Sequence, residues 1–190
     1  MVPIGNWVLI EACDQLAKWQ KNDRYKHLCL SINISTKQIW QKNFVDLVIN
    51  AVSKSGLDPS KLKLEITESV LAKDIDDTAK KLQKLKSFGI SFSLDDFGTG
   101  YSSLSYLKNL PIDELKIDQS FIRDLMIDPS DLIMVKSLIS LGENFGINVV
   151  AEGVETEAQF DKLKSFSCNI YQGYYFSYPL PMNQFLQLLN

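Results

Sequence analysis

The chain has 190 residues, 45% of them hydrophobic and 23% charged, with a formal net charge of −3. That composition suits one globular domain able to bury its own core. It excludes a disordered chain and argues against a basic surface for a nucleic-acid polymer.

Residue counts narrow the chemistry further. There is one histidine, His27, and the three cysteines are Cys13, Cys29 and Cys168, with no pair at zinc-finger spacing. A His-rich or Cys-rich zinc site is therefore excluded. The thiols read as free and buried, as in a reducing cytosol. No apolar run approaches the roughly 18–20 residues of a membrane span, and no basic segment opens the chain. A cytoplasmic protein without a membrane segment is expected.

Trp7, Val8, Ile10, Leu16, Ala17 and Trp19 recur on one helical face, so the chain opens with a helix. Residues 27–34 (HLCLSINI) read as a buried strand. Residues 36–55 read as a helix with Phe44, Leu47, Val48 and Val52 inward, stopped by Gly56, Asp58 and Pro59. A strand follows at 62–66, then an amphipathic helix at 74–88 with Gly89 at its C-terminal cap. A third strand at 90–95 runs into the glycine-punctuated turn 96–100 and a short helix near 102–108. Strand 113–117 leads to a long helical stretch, 119–145, broken near Asp128-Pro129. Strand 147–151, helix 156–166, strand 169–172 and helix 182–189 complete the chain.

The alternation of short apolar strands with helices predicts an α/β fold with a parallel sheet. Periodicity leaves two arrangements open: a (β/α) barrel and a doubly wound open sheet. The strand ends separate them. They carry Asn33, then Glu65 with Glu68, then Asp95 and Asp96, then Lys116 and Asp118, then Glu152 and Glu155, and finally Gln172. Polar groups at the C-terminal ends of all six strands suit a ring of strands around one site, because a barrel collects its catalytic groups on that rim. An open sheet concentrates them at one switch crevice.

Asn33, Glu65, Asp95 and Asp96 are all hard oxygen donors, which suit Mg²⁺ or Mn²⁺. Adjacent aspartates repel one another when ionised, so a buried pair invites a cation. Two metals together clamp a phosphoryl group and activate a water. Lys116 is placed to hold that water or offset phosphate charge, and Glu152 to accept a proton or hold a metal's water. The aromatic run Tyr174, Tyr175, Phe176 could stack a flat base, but it is expected to pack against the last helix.

The stretches PIGNWVLIEAC (3–13), SINIS (31–35), LEITES (64–69), LDDFGTGYSSLSYL (94–107), LKIDQSF (115–121), VVAEGVET (149–156) and YQGYYFSYPLP (171–181) resemble the EAL-domain family. That family comprises bacterial phosphodiesterases that hydrolyse cyclic di-GMP to linear pGpG. The resemblance spans essentially the whole chain and implies a TIM-like barrel with a two-metal site for Mg²⁺ or Mn²⁺. It implies Asn33, Glu65, Asp95 and Asp96 as metal ligands. Lys116 and Glu152 are implied as catalytic residues, with Asp118, Glu155 and Gln172 beside the substrate. Glu68, Gly98, Thr99 and Gly100 are implied in positioning the loop after the third strand, which in the family links the active site to a dimer interface. A homodimer is therefore expected, and a regulatory or GGDEF-type domain in a longer parent chain.

The Glu-Ala-Leu triplet that names the family does not occur here. By the family pattern it lies on an early strand, upstream of the PIGNWVL helix, and its glutamate is a metal ligand. The resemblance thus implies a single EAL domain over residues 1–190 that lacks its N-terminal strands, an incomplete barrel with about six of eight. Two functions are expected from it: a cyclic di-GMP phosphodiesterase, or a truncated, inactive module that binds cyclic di-GMP or a protein partner.

Overall fold

The computed structural model describes residues 2–72, 74–98 and 107–189. The chain forms two compact units, Met1–Leu115 and Lys116–Asn190, and the division falls inside a strand.

The first unit opens with helix α1 (Val2–Gln20), whose buried stripe is Leu9, Cys13, Leu16 and Ala17 at helical spacing, joined by Trp19. The expected inner face is thus split. Trp7, Val8 and Ile10 are exposed, because the first turns of α1 are apolar all round and only one side meets the core. The expected strand 27–34 shortens to β1 (Leu30–Asn33). Its first residues are spent in a turn in which the Lys26 N–H donates to the Asn22 carbonyl and the Leu28 N–H to Tyr25.

The helix expected at 36–55 is two helices, α2 (Thr36–Ile39) and α3 (Phe44–Ser55). The Gln38 side chain turns back to accept from the Ser35 N–H at 3.2 Å, starting α2. The chain then turns so that the Phe44 N–H donates to Gln41, which brings Ile39 and Phe44 into the core together. Gly56 ends α3 at φ +71°, a conformation that disfavours any side chain.

Strand β2 (Leu62–Thr67) follows, then a 3₁₀ turn (Glu68–Ala72), helix α4 (Ile75–Ser87) and strand β3 (Ser91–Phe97). The strands β1, β2 and β3 pair in parallel, with Ile32 opposite Leu64 and Leu64 opposite Phe92. Leu62, Leu64, Ile66, Phe92 and Leu94 are essentially unexposed, each contributing about 1.5–3 kcal/mol of burial. Alternation along a strand puts Lys63, Glu65 and Thr67 of β2, and Ser91, Ser93 and Asp95 of β3, on the other, polar face. Strand β4 (Glu114–Ile117) starts beside β3: the Asp113 N–H donates to the Phe92 carbonyl, and the Phe92 N–H donates to Asp113 Oδ2, both at 2.9 Å. Thr99, Gly100 and residues 102–106 of the expected short helix lie outside the described residues.

The second unit contains α5 (Gln119–Arg123), α6 (Pro129–Phe145), β5 (Asn148–Glu152), α7 (Glu157–Ser165), β6 (Ile170–Gln172) and α8 (Met182–Leu188). The break expected at Asp128-Pro129 is where α6 begins: Asp128 accepts from the Ser130 N–H at 2.7 Å, and Pro129 occupies the first turn. Strands β5 and β6 are parallel, with Glu152 opposite Gln172. A capping box at Thr156 and Gln159 starts α7, and Gln159 Nε2 donates to the Ile122 carbonyl at 3.0 Å, tying α7 to α5. The aromatic run also packs on α7. Tyr175 and Phe176 meet Phe160 of α7, at 5.7 and 5.9 Å between ring centres, because β6 runs parallel to the strand that precedes α7.

Cys13 and Cys168 are buried and Cys29 is exposed, so the expectation of three buried thiols fails at one position, on the turn side of β1. Burial, with Asp14 adding to it, pushes the Cys13 thiol up to about 11. Burial raises Cys168 as well. A thiolate-specific reagent at pH 8 should therefore modify one thiol of the native chain rapidly and all three after denaturation. Rapid modification of two or more native thiols contradicts the packing described.

Candidate functional site

In the first unit the parallel register lines up the ends of three strands. Asn33 lies opposite Glu65, Glu65 opposite Ser93, and Thr67 opposite Asp95. Since side chains alternate, Asn33, Glu65 and Asp95 share the polar face at its C-terminal end. Glu65 is only 7% exposed. A carboxylate at that depth persists with a counter-charge or a metal, because its desolvation otherwise costs several kcal/mol.

The aspartate pair expected to be buried is not: Asp95 is half-buried and Asp96 exposed. Regular alternation would turn them to opposite faces, but Asp96 departs from strand geometry and a carboxylate oxygen of each lies within 4.8 Å of one from the other. Asp96 sits at φ +55°, a left-handed conformation for a residue with a side chain. Such a residue costs roughly 1–2 kcal/mol, and strain of this kind gathers at functional sites. The donor set of one amide oxygen and three carboxylates, with no imidazole or thiolate, fits a hard divalent cation of the Mg²⁺ or Mn²⁺ type.

Glu68 opens the 3₁₀ turn after β2, and its Oε1 accepts from the Gly98 N–H at 3.1 Å. Gly98 sits at φ +100°. The carboxylate of one strand end thus holds the backbone where β3 leaves the sheet.

In the second unit Lys116 Nζ lies 2.6 Å from Glu152 Oε1, with side chains 5% and 14% exposed. Lys116 is on β4 and Glu152 at the end of β5. A cavity of about 310 Å³ opens beside them, lined by Gln119, Glu152, Glu155, Gln172, Tyr174 and Pro179. It brings together three of the residues singled out in the sequence. Asp118 is the N-terminal cap of α5, its Oδ1 accepting from the Ser120 N–H at 2.9 Å.

Gln119 and Pro179 were not foreseen in this cavity, whereas Tyr174 is one of the aromatics that could stack a flat base. The signal for Gln119 was its place as the first residue of the helix after a strand end. Tyr174 and Pro179 fall in an irregular segment where no periodicity says which way a side chain points. The pairing of Lys63 with Glu114, at 2.5 Å and across 51 residues of sequence, also had no local signature.

The EAL domain family model matches residues 1–179. The bifunctional diguanylate cyclase/cyclic di-GMP phosphodiesterase MucR of Pseudomonas aeruginosa is 44% identical over 186 residues, 98% of this chain and 27% of MucR. The solved MucR phosphodiesterase in complex with cyclic di-GMP has a TM-score of 0.93 at 43% identity, covering 97% of this chain and 74% of that one. The EAL domain of DcpA from Mycobacterium smegmatis has a TM-score of 0.91 at 42% identity, covering 97% and 83%. BlrP1 of Klebsiella pneumoniae, solved with manganese and cyclic di-GMP, has a TM-score of 0.82 at 30% identity, covering 94% and 44%. It has also been solved with calcium and cyclic di-GMP. The chain spans between 22% and 29% of the length of the curated relatives it matches.

Proposed function

We propose a function on one premise: this chain belongs to the EAL domain family. Its fold is accordingly α/β, of the TIM-like (β/α) barrel type of EAL domains, with six strands among the described residues. The reading is of one EAL domain over residues 1–190 that hydrolyses cyclic di-GMP to linear pGpG. The observation that carries it is the alignment of Asn33, Glu65 and Asp95 at the C-terminal ends of three adjacent parallel strands, on one face.

In this reading Asn33, Glu65, Asp95 and Asp96 hold Mg²⁺ or Mn²⁺. Bound there, the cation offsets phosphate charge and lowers the pKa of water. Lys116, held by its ion pair, orients the attacking water, and Glu152 takes its proton. The water oxygen bonds to phosphorus, the P–O3′ bond breaks, and the 3′-oxygen leaves and is protonated, giving a 5′-phosphate. Asp118, Glu155 and Gln172 face the substrate. Glu68 holds the Gly98 backbone, where the loop after the third strand begins. The relatives support this: MucR is named as a phosphodiesterase and solved with cyclic di-GMP, and BlrP1 is solved with manganese or calcium.

A homodimer and a diguanylate-cyclase-type domain in a longer parent chain belong to the same reading, and MucR is bifunctional in that sense. No described helix is long and apolar enough to cross a membrane. A second reading takes the chain as a module that binds cyclic di-GMP or a protein partner without cutting the dinucleotide.

The test is turnover of cyclic di-GMP by the purified chain with Mn²⁺, following pGpG by chromatography. Product that EDTA suppresses is the expected result. Binding without product supports the second reading, and neither binding nor product overturns cyclic di-GMP as the ligand.

A further inference from the structure

The polar face of the first unit carries a second charged layer, one step below the proposed metal ligands. Lys63 lies two residues before Glu65 on β2, and Glu114 two residues before Lys116 on β4, so each sits under a proposed site residue on the same face. Lys63 Nζ meets Glu114 Oε2 at 2.5 Å, with side chains 24% and 7% exposed. Between β2 and the start of β4 lies β3, which presents only Ser91 and Ser93 at this level. Two small residues leave room for the lysine stem to cross the intervening strand, and neither supplies a counter-charge.

An alternative partner for the Lys63 ammonium on its own strand is the carboxylate of Glu65, two residues and roughly 7 Å along the same face. An ammonium that turned to Glu65 would compete with a cation for it. We propose that Glu114 is a positioning residue that draws the Lys63 charge away from Glu65, so that Glu65 gives its charge to a divalent cation. This rests on the metal-site reading above and adds to it the reason a lysine is tolerated beside a metal carboxylate. Lys63 keeps the deep Glu114 from standing uncompensated in turn. Asp113, next to Glu114, is engaged separately by Lys86 and the Phe92 N–H.

The experiment is Mn²⁺ affinity of the purified chain by titration calorimetry or electron paramagnetic resonance, with circular dichroism as the folding control. Glu114→Gln is expected to weaken Mn²⁺ binding roughly tenfold, by freeing a unit charge at that separation in a medium of intermediate dielectric. Lys63→Met is expected to bind Mn²⁺ at least as well as wild type. Lys63→Met/Glu114→Gln, with both charges gone, is expected to return to wild-type affinity. If the pair were only a brace between strands, Lys63→Met and the double variant would both lose affinity, and that result overturns the proposal even if Glu114→Gln does not fold. Unchanged affinity in a folded Glu114→Gln overturns it as well. Wild-type chain that binds no Mn²⁺, alone or with cyclic di-GMP, removes the metal-site reading itself.

Discussion

Replacing Lys116 by methionine is expected to abolish cyclic di-GMP turnover and to lower the stability of the chain by about 3–5 kcal/mol. The ammonium and the Glu152 carboxylate lie 2.6 Å apart with little exposure, so removing Lys116 takes a close counter-charge from a carboxylate in a poorly hydrated place. An exposed pair at the same distance would cost less than about 1 kcal/mol. Urea denaturation followed by circular dichroism separates the two. The double variant Lys116→Met/Glu152→Leu is expected to recover much of the stability and none of the turnover, since the penalty comes from the lost counter-charge and the chemistry from its presence. A Lys116→Met loss below 1 kcal/mol would show that the pair is solvated.

Gly173→Ala is expected to cost about 3 kcal/mol and to weaken cyclic di-GMP binding more than tenfold. A Cβ there would lie 2.1 Å from the Val154 carbonyl oxygen, 2.4 Å from its nitrogen and 2.7 Å from its carbonyl carbon. These are backbone atoms and cannot swing aside. They are also engaged on both sides of the glycine: the Val154 N–H donates to Gln172, and the Val154 carbonyl accepts from Tyr175. Relief of the clash must pull the segment after β6 away from the one after β5, which opens the cavity between Glu152 and Tyr174. Gly56→Ala provides the contrast. Its Cβ would meet nothing within 4 Å, so the cost is that of a left-handed residue alone, roughly 1–2 kcal/mol. Thermal unfolding of both variants, with equilibrium binding of cyclic di-GMP, checks the ranking. Equal losses would show that the close approach at Gly173 relaxes freely.

Much of the secondary structure was legible because its causes are local. The break at Asp128-Pro129, the helix from 156 and the strand at 62–66 need only a few neighbouring residues. The misreadings have local causes as well. Residues 27–29 have strand-like composition but belong to a turn, and residues 40–43 carry helix-compatible residues yet the chain bends there to bury Phe44. In α1 an apolar surround defeated the choice of inner face, since periodicity identifies a stripe only against a polar background.

The sequence by itself determined the α/β class, the family, and the oxygen-donor chemistry at the strand ends. Each of these follows from residue type, order and spacing, which the chain carries without folding. Tertiary structure alone decided which charges meet. Lys63 could have served Glu65, two residues away, and instead reaches Glu114 across β3; Glu68 reaches Gly98, and Lys116 reaches Glu152. It also decided that Asp95 and Asp96, adjacent in sequence, bring carboxylate oxygens within 4.8 Å of each other although one is half-buried and the other exposed. The physical reason is that pairing of charges depends on strand register and on which small residues lie between, and both are set by packing between segments far apart in the chain.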